Sequence, residues 1–493
     1  MSRLNVGNLM VVAVLSACAQ AAYGQICVTS DSNNDTACGT GTLPAPSFGS
    51  GLNTALGAYA LNADSTGELN TAVGANALTS NTTGTSNTAI GGQALALNTI
   101  GIFNTASGNG ALYSNTVGSS NTANGSDALY SNTAGEFNTA LGAQALTLNT
   151  TGGANTAAGY SALQFNEAGP FNTATGYWAL QKNHNGGYNT ASGAQALRDN
   201  TEGFANTAVG SGALIGNTYG YTNTAVGANS LYSNTTGANN TAFGYLALYS
   251  NSTGKGNAAQ GVNALYSNTT GIRNLGIGGN ALYNNNGSYN IALGFDAGYN
   301  VTNGSNNIEI GTSGTAADNG TIQIGTQGTQ TATTIAGIYG TQVTGSAVYV
   351  TSTGQLGVLG SSERFKTDIA PMPEVSEKLK RLRPVTFHYK TDPKSIQQYG
   401  LIAEEVDKVY PELVIRDEKG KFQGVHYEEL APMLLAEVQK QQTTIKDQAE
   451  RVDALSAKND AQAAEIRDLT KLVLQMQAGL LKLQARDELV AQR

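Results

Sequence analysis

The sequence predicts a mostly β fibrous protein: a repetitive β-solenoid or β-roll rod, then a small α+β domain, then a C-terminal coiled coil. Three observations predict it. One short unit recurs at constant spacing through residues 48–320. The composition changes abruptly at Ser361. A heptad pattern occupies residues 438–490.

The repeat sets the rod. Asn-Thr-Ala begins at 53, 70, 87, 104, 121, 138, 155, 172, 189, 206, 223 and 240, with degraded copies at Asn257, Asn274, Asn290 and Asn307. The step is constant (70 minus 53 is 17), except that the one from 274 to 290 is shorter by one. The unit reads Asn-Thr-Ala-x-Gly-x-x-Ala-Leu-x-x-Asn-Thr-x-Gly-x-x, and Asn70 to Ser86 is a clean copy. A fixed period of this kind means one structural unit per repeat, stacked on its neighbours. Two glycines and paired Asn-Thr in every unit disfavour helix and favour turns. Each unit is therefore read as one coil of short strands. Ala at the third place and Ala-Leu at the eighth and ninth fill a thin interior. Asn at the first and twelfth places stacks as amide ladders. So thin an interior buries little apolar surface, so stability is expected from stacking and from association of chains. Sixteen coils at roughly 4.8 Å each make a rod about 75 Å long.

Tyr recurs at the tenth place, as Tyr113, Tyr130, Tyr232, Tyr249, Tyr266 and Tyr283. It reads either as a stacking ladder or contact between chains, or as a stripe for glycans; the first is favoured. Carboxylates in the rod hold no constant repeat position. The paired carboxylates of a polysaccharide-cleaving groove are thus not indicated.

Before Ser361 the chain has 5 Lys or Arg against 12 Asp or Glu, a net charge of −7; from Ser361 onward it has 21 against 22, a net charge of −1. No basic patch is present, which argues against a nucleic-acid partner. No cofactor motif or metal-ligand spacing is found. The three cysteines are Cys18, Cys27 and Cys38. Residues 1–24 resemble a secretory signal: Arg3, an apolar run from Leu9 to Ala17, then small residues. Leu15-Ser16-Ala17-Cys18 also resembles a lipobox, which makes Cys18 a candidate for lipidation and membrane attachment. Both readings imply export, and an oxidising compartment favours a Cys27–Cys38 disulfide within a linker, residues 25–47. Residues 321–360 read as a β-rich neck, with strands expected at 321–325, 347–351 and 355–359.

Ser361-Ser362-Glu363-Arg364-Phe365-Lys366 opens the charge-rich segment. A serine five places ahead of a lysine at such a boundary suggests a cut site with its own catalytic pair. A hydroxyl needs a nearby base to attack at neutral pH, and lysine serves as one when desolvation lowers its pKa. Gly360 leaves the preceding carbonyl unobstructed.

Further motifs follow in order: Leu379-x-x-Leu382-x-Pro384-Val385-x-Phe387-x-Tyr389, Gly400-Leu401-Ile402-Ala403-Glu404-Glu405-Val406, Tyr410-Pro411-Glu412-Leu413-Val414 and Val425-x-Tyr427-x-x-Leu430. Together with Ser361-x-x-Arg364-x-Lys366-x-x-Ile369, residues 361–437 resemble the peptidase S74 family, the intramolecular chaperone of phage tail spikes and endosialidases. The resemblance implies a domain that drives three chains together and then cuts itself off. Carried over, Gly360–Ser361 is the scissile bond, Ser361 the nucleophile and Lys366 the general base. Ser362 stands where the family often has Asp and is the second candidate nucleophile; the spacing favours Ser361. His388 and His426 are read as structural.

Within the domain, helices are expected at 374–383 and 404–409, strands at 385–390 and 414–417, and a long helix from Tyr427. The heptad seams are Val438, Ile445, Val452, Asn459, Ile466, Val473, Leu480 and Gln441, Gln448, Leu455, Gln462, Leu469, Met476, Leu483. Charged flanks and apolar seams predict a coiled coil; the resemblance argues for three strands. The whole is expected to be an exported homotrimeric fibre of the cell surface, outer membrane or medium, touching some surface or glycan. A fibre that does not cleave and a phage tail fibre are the alternatives.

Overall fold

A computed structural model describes residues 35–42, 51–336, 338, 344–351, 353–391, 393–417 and 419–491. The expected signal segment, Cys18 and Cys27 lie outside the described residues. Cys38 is disulfide-bonded. The chain divides into two compact units, 1–334 and 335–493.

The first unit is a parallel β-solenoid. Among the described residues, eighteen three-residue strands from Thr36–Cys38 to Ile322–Ile324 form one sheet, the inner ones paired in parallel with the strands one coil before and after and the two end strands with one neighbour each. The coil from Asn138 to Ala154 illustrates why. Thr139–Leu141 is its strand, in register with Thr122–Asn124 and Thr156–Ala158. Ala140 points inward and is fully buried with Ala145 and Leu146. Past the strand the backbone bonds to both neighbours. Gly142 N donates to Asn124 O (2.8 Å) and Gln144 N to Ser126 O (2.9 Å), both backward; Leu146 N donates to Ala162 O (3.0 Å) and Leu148 N to Gln164 O (2.9 Å), both forward. Even the turns therefore satisfy their polar groups in the stack.

This two-way bonding sets the backbone. The seventh, ninth and seventeenth places lie in the left-handed region: Gln144 at φ 59°, Leu146 at 55° and Ala154 at 57°. Each costs about 1–2 kcal/mol for a residue with a side chain. The repeat keeps its two fixed glycines where no β-carbon fits. A β-carbon on Gly176 (φ +133°) would lie 2.6 Å from Gly193 O. On Gly152 it would lie 2.5 Å from Asn149 Oδ1 and 2.8 Å from Gly169 O.

Two asparagine ladders run inside the coils, as the repeat predicts. At the first place, Asn138 N donates to Asn121 Oδ1 (2.9 Å), while Asn138 Nδ2 donates to Gly152 O (2.9 Å). At the twelfth, Asn132 Nδ2 donates to Asn115 Oδ1 (2.8 Å) and Gly135 O (3.0 Å). Each rung-to-rung bond is donated toward the preceding coil, so the first rung needs only to accept. Among the described residues both ladders begin on an aspartate. Asp35 accepts from Asn53 N (2.7 Å), and Asp64 accepts from Asn81 Nδ2 (2.8 Å). An ionised carboxylate is an acceptor and nothing else. The short step ends the second ladder. There Asn285 Nδ2 turns to Gly287 O, Asn290 Nδ2 donates to Asn285 Oδ1 (2.9 Å), and the next rung is buried Val301.

Two boundaries differ from the sequence reading. Thr36–Cys38 pairs with Thr54–Leu56, so the rod's sheet begins inside the expected linker. Ile322–Ile324 pairs with Ile308–Ile310, so the first expected neck strand belongs to the rod. Neither segment carries the full repeat, but each supplies the backbone edge that its neighbour needs. The tyrosines form stacks: Tyr113 on Tyr130 at 4.8 Å, and Tyr232, Tyr249, Tyr266, Tyr283 and Tyr299 in one column.

In the second unit, Tyr349–Val350 and Leu356–Gly357 form a small antiparallel hairpin. Helices α1 (Ser376–Leu379) and α2 (Ala403–Val406) are single turns, shorter than expected. Val385–Phe387 pairs with Gln398–Gly400, and Val414–Arg416 with Phe422–Val425, both antiparallel. The second strand of each pair has no alternating pattern long enough to stand out in the sequence. Helix α3 (Tyr427–Ala491) has 65 residues and so spans roughly 100 Å. Val406, Val409, Tyr410, Leu413 and Val425 form the core, with Leu379, Leu382, Leu401, Leu430 and Met433 against it. Among the described residues no helix is long and apolar enough to cross a membrane.

Asn132→Ala removes one rung, taking an acceptor from Asn149 Nδ2 (2.8 Å). It should cost roughly 1–3 kcal/mol, read as a lowered thermal midpoint of the rod; an unchanged midpoint would remove the ladder's claim to stability. Asp64 is pushed up from 3.8 to about 6, chiefly by burial, against the hydrogen bonds from Asn81 and Gly67 and with Asp35 adding to the rise. A raised carboxylate makes the fold prefer the protonated form. Its contribution is full below the ordinary carboxylate range, declines as pH rises, and is gone once pH has passed through about 6. The span amounts to at most ~3 kcal/mol. The rod should therefore melt higher at pH 5 than at pH 7.5, and Asp64→Asn should shrink that difference.

Candidate functional site

The candidate site lies at the start of the second unit's small domain. Glu363–Phe365 is a 3-10 turn, closed by Phe365 N donating to Ser362 O (3.0 Å) and Lys366 N to Glu363 O (3.0 Å). A turn this tight carries the chain back on itself between Ser361 and Lys366. It brings Lys366 Nζ to 3.3 Å from Ser361 Oγ, with the ammonium as donor. Ser362 occupies the cap of the turn and its side chain makes no capping bond. The structure thus places Ser361 against Lys366. Gly360 packs beside Phe365: a β-carbon on Gly360 would lie 3.0 Å from that ring. The Arg364 guanidinium covers the Phe365 ring at 4.5 Å.

Among the described residues nothing in the single chain buries this pair. Residues 360–372 are exposed throughout, including Phe365 and Ile369, each 64% exposed. The structure thus brings the Ser361 hydroxyl and the Lys366 amine within hydrogen-bond distance on a segment that no described residue covers.

The motifs that follow converge in the fold. Tyr427 Oη accepts from Leu401 N (2.7 Å), and a β-carbon on Gly400 would lie 2.5 Å from that hydroxyl. Tyr410 Oη donates to Val375 O (3.2 Å). Arg383 and Glu405 pair at 2.6 Å. An open apolar groove is lined by Leu379, Leu382, Val385, Leu401, Leu430 and Leu434. His426 Nδ1 lies 2.9 Å from Glu428 Oε1, an arrangement of neighbours that does not involve Ser361. Sequence reasoning does not single out the Tyr427 hydroxyl or the Arg383–Glu405 pair as anchors. Tyr427 and Glu405 are letters within the motifs, and a letter does not say what its side chain meets.

Fold and site define a class: a fibre-like protein in which a long parallel β-solenoid precedes a small α+β domain that opens on a Ser–Lys pair. Residues 361–415 match the peptidase S74 family model, described as the chaperone of endosialidase. The match begins at Ser361 itself, and the chain therefore carries an S74 domain fused to a repeat rod. That family is a self-cleaving intramolecular chaperone, which supports autoprocessing of the peptidase type. The motif from Val425 to Leu430 lies past the matched range but packs on it through Tyr427 and Leu430. No curated protein and no solved structure matches the chain.

Gly400→Ala should destabilise the domain by roughly 1–3 kcal/mol through overpacking against Tyr427. Tyr427→Phe, which removes the crowding oxygen, should restore part of that loss. Hydrogen exchange at Leu401 and Val425 reads both. Equal opening in all variants would mean the contact carries no weight.

Proposed function

We propose that this chain is an exported homotrimeric fibre whose S74 domain assembles three chains and then cuts at Gly360–Ser361. The observation that carries the reading is a Ser–Lys pair that is poised at 3.3 Å yet exposed in one chain. Exposed apolar side chains beside it, Phe365 and Ile369, give neighbouring chains something to cover. Covering them strips water from Lys366 and turns it into a base.

Assembly is supported by α3. Both heptad seams are exposed along its length, with Val438, Ile445, Val452 and Ile466 each 57–65% exposed. An apolar stripe that long in water calls for partner helices. Three strands rest on the S74 match. The polar layers at Asn459 and Gln462 set the register.

Chemically, Lys366 Nζ takes the proton of Ser361 Oγ as the oxygen attacks the Gly360 carbonyl carbon. The Gly360–Ser361 C–N bond breaks, and the Ser361 nitrogen leaves as a protonated amine. The acyl group then rests on Oγ as an ester, which water opens to the Gly360 carboxylate. In the alternative route Lys366 activates the water directly, and the products are the same. Scission separates the assembling domain from the rod, so the trimer cannot retrace its path.

Full-length protein with Ser361→Ala, Ser362→Ala or Lys366→Met tests this. Ser361→Ala and Lys366→Met should stay whole; wild type and Ser362→Ala should lose the segment from Ser361 to Arg493. Disrupting the seam with Val452→Asp and Leu455→Asp should slow cleavage at least tenfold. Wild-type protein that persists as an intact trimer would leave the non-cleaving fibre as the correct reading. Sequencing the mature N-terminus separates export, with or without a lipid on Cys18, from a tail fibre that keeps Met1.

A further inference from the structure

Two apolar surfaces of the small domain stay uncovered by their own chain. One is the open groove lined by Leu379, Leu382, Leu401, Tyr427, Leu430 and Leu434, with a volume of about 670 Å³. The other is the opening segment, residues 360–372, where Phe365 and Ile369 stand in water. The S74 match begins at Ser361, so this segment belongs to the domain even though it does not pack on it. A domain that leaves both a groove and the apolar side chains of its first segment exposed has a contact still to make.

The α3 wall of the groove says which molecule makes it. Counting back by sevens from Gln441 in the second heptad seam gives Leu434 (441 minus 7) and Tyr427 (434 minus 7), and both line the groove. Leu434 is 54% exposed and Tyr427 48%, much as the seam residues further along are. The groove is therefore the N-terminal end of the seam. Helices that pair along the seam bring a second copy of this chain to it. The opening segment is tied to α3 close by. Lys440 Nζ donates to Glu374 Oε1 at 2.8 Å, and Lys440 lies only roughly 9 Å along the helix from Leu434. Phe365 precedes Glu374 by nine residues (374 minus 365), a reach of up to about 30 Å. Packed helices lie roughly 8–10 Å apart, so the segment can cross from its own α3 to the neighbour's groove.

We propose that the groove of each chain takes Phe365 and Ile369 from a neighbouring copy, so that the Ser361–Lys366 pair of one chain is covered by the next. This rests on the reading of the chain as a fibre that assembles and cuts itself, and adds what covers the junction. Cover of this kind excludes water, and burial disfavours the charged form of an amine. Phe365 is then a positioning residue that holds the pair beneath the neighbour. The competing arrangement is a segment that folds into the groove of its own chain.

The test is crosslinking and complementation in full-length protein. A chain kept whole by Ser361→Ala and carrying Phe365→benzoylphenylalanine should, on irradiation, give covalent dimers on a denaturing gel. The joined peptides should map to residues 379–401 or 427–434 of the second chain. Phe365→Asp and Leu434→Asp should each still trimerise by sedimentation yet cut at least tenfold more slowly, while Phe365→Leu should keep most of the rate. Co-expressing the two aspartate variants with different tags should restore cutting of the Leu434→Asp chain alone, because its intact segment can enter the intact groove of the other. Crosslinks confined to single chains, or no rescue in mixed trimers, would overturn docking between chains. Trimers that cut at the wild-type rate with Phe365→Asp would overturn it too, and would leave the assembly reading standing. Wild-type chains that neither trimerise nor cut would remove that reading and the docking with it.

Discussion

The buried asparagine amide is the interaction on which the rod depends. Each coil has room for one leucine and two alanines on the inside, too little apolar surface to hold a chain against its conformational entropy. The ladders supply what is missing. An amide both donates and accepts, so a column of asparagines satisfies itself rung by rung and bonds each coil to the last. The direction of donation also explains the ends. Asp35 and Asp64 start the columns because the first rung has only to receive, and a carboxylate is the group that does nothing else. Val301 closes the second column where the short repeat breaks its step.

The same economy accounts for the backbone. The amides of each turn reach backward and forward, and this forces three positions per coil into the left-handed region. Leu146 and its equivalents adopt that conformation fully buried. The strain is tolerated because straightening any coil would orphan polar groups in both neighbours. Stability of this kind is local and repetitive, and it makes the two ends the points where the pattern has to be finished by other chemistry.

The junction obeys the opposite logic. Ser361 and Lys366 are brought together by one tight turn, but no described residue packs over them. Apolar side chains stand exposed at the site, Phe365 and Ile369, and along α3. Gly360 leaves room for the Phe365 ring, which a β-carbon at that position would meet at 3.0 Å.

Much of this is legible in the chain itself. The constant period, the inward Ala and Leu, the amide columns and the Ser361–Lys366 spacing follow from residue types at fixed intervals, because each coil repeats the contacts of the last. Short-range spacing also suffices for the 3-10 turn's outcome, though not for its form. Helices α1 and α2 stop sooner than propensity alone suggests, because the small core at Val406 and Leu413 covers only one turn of each. What only the tertiary structure decided are the matters that depend on neighbours far along the chain or on solvent: the left-handed leucines, the acceptors at the ladder starts, and the exposure of the junction. A sequence specifies which groups are present and how often; whether a given group meets water, a partner or neither is set by how the coils stack.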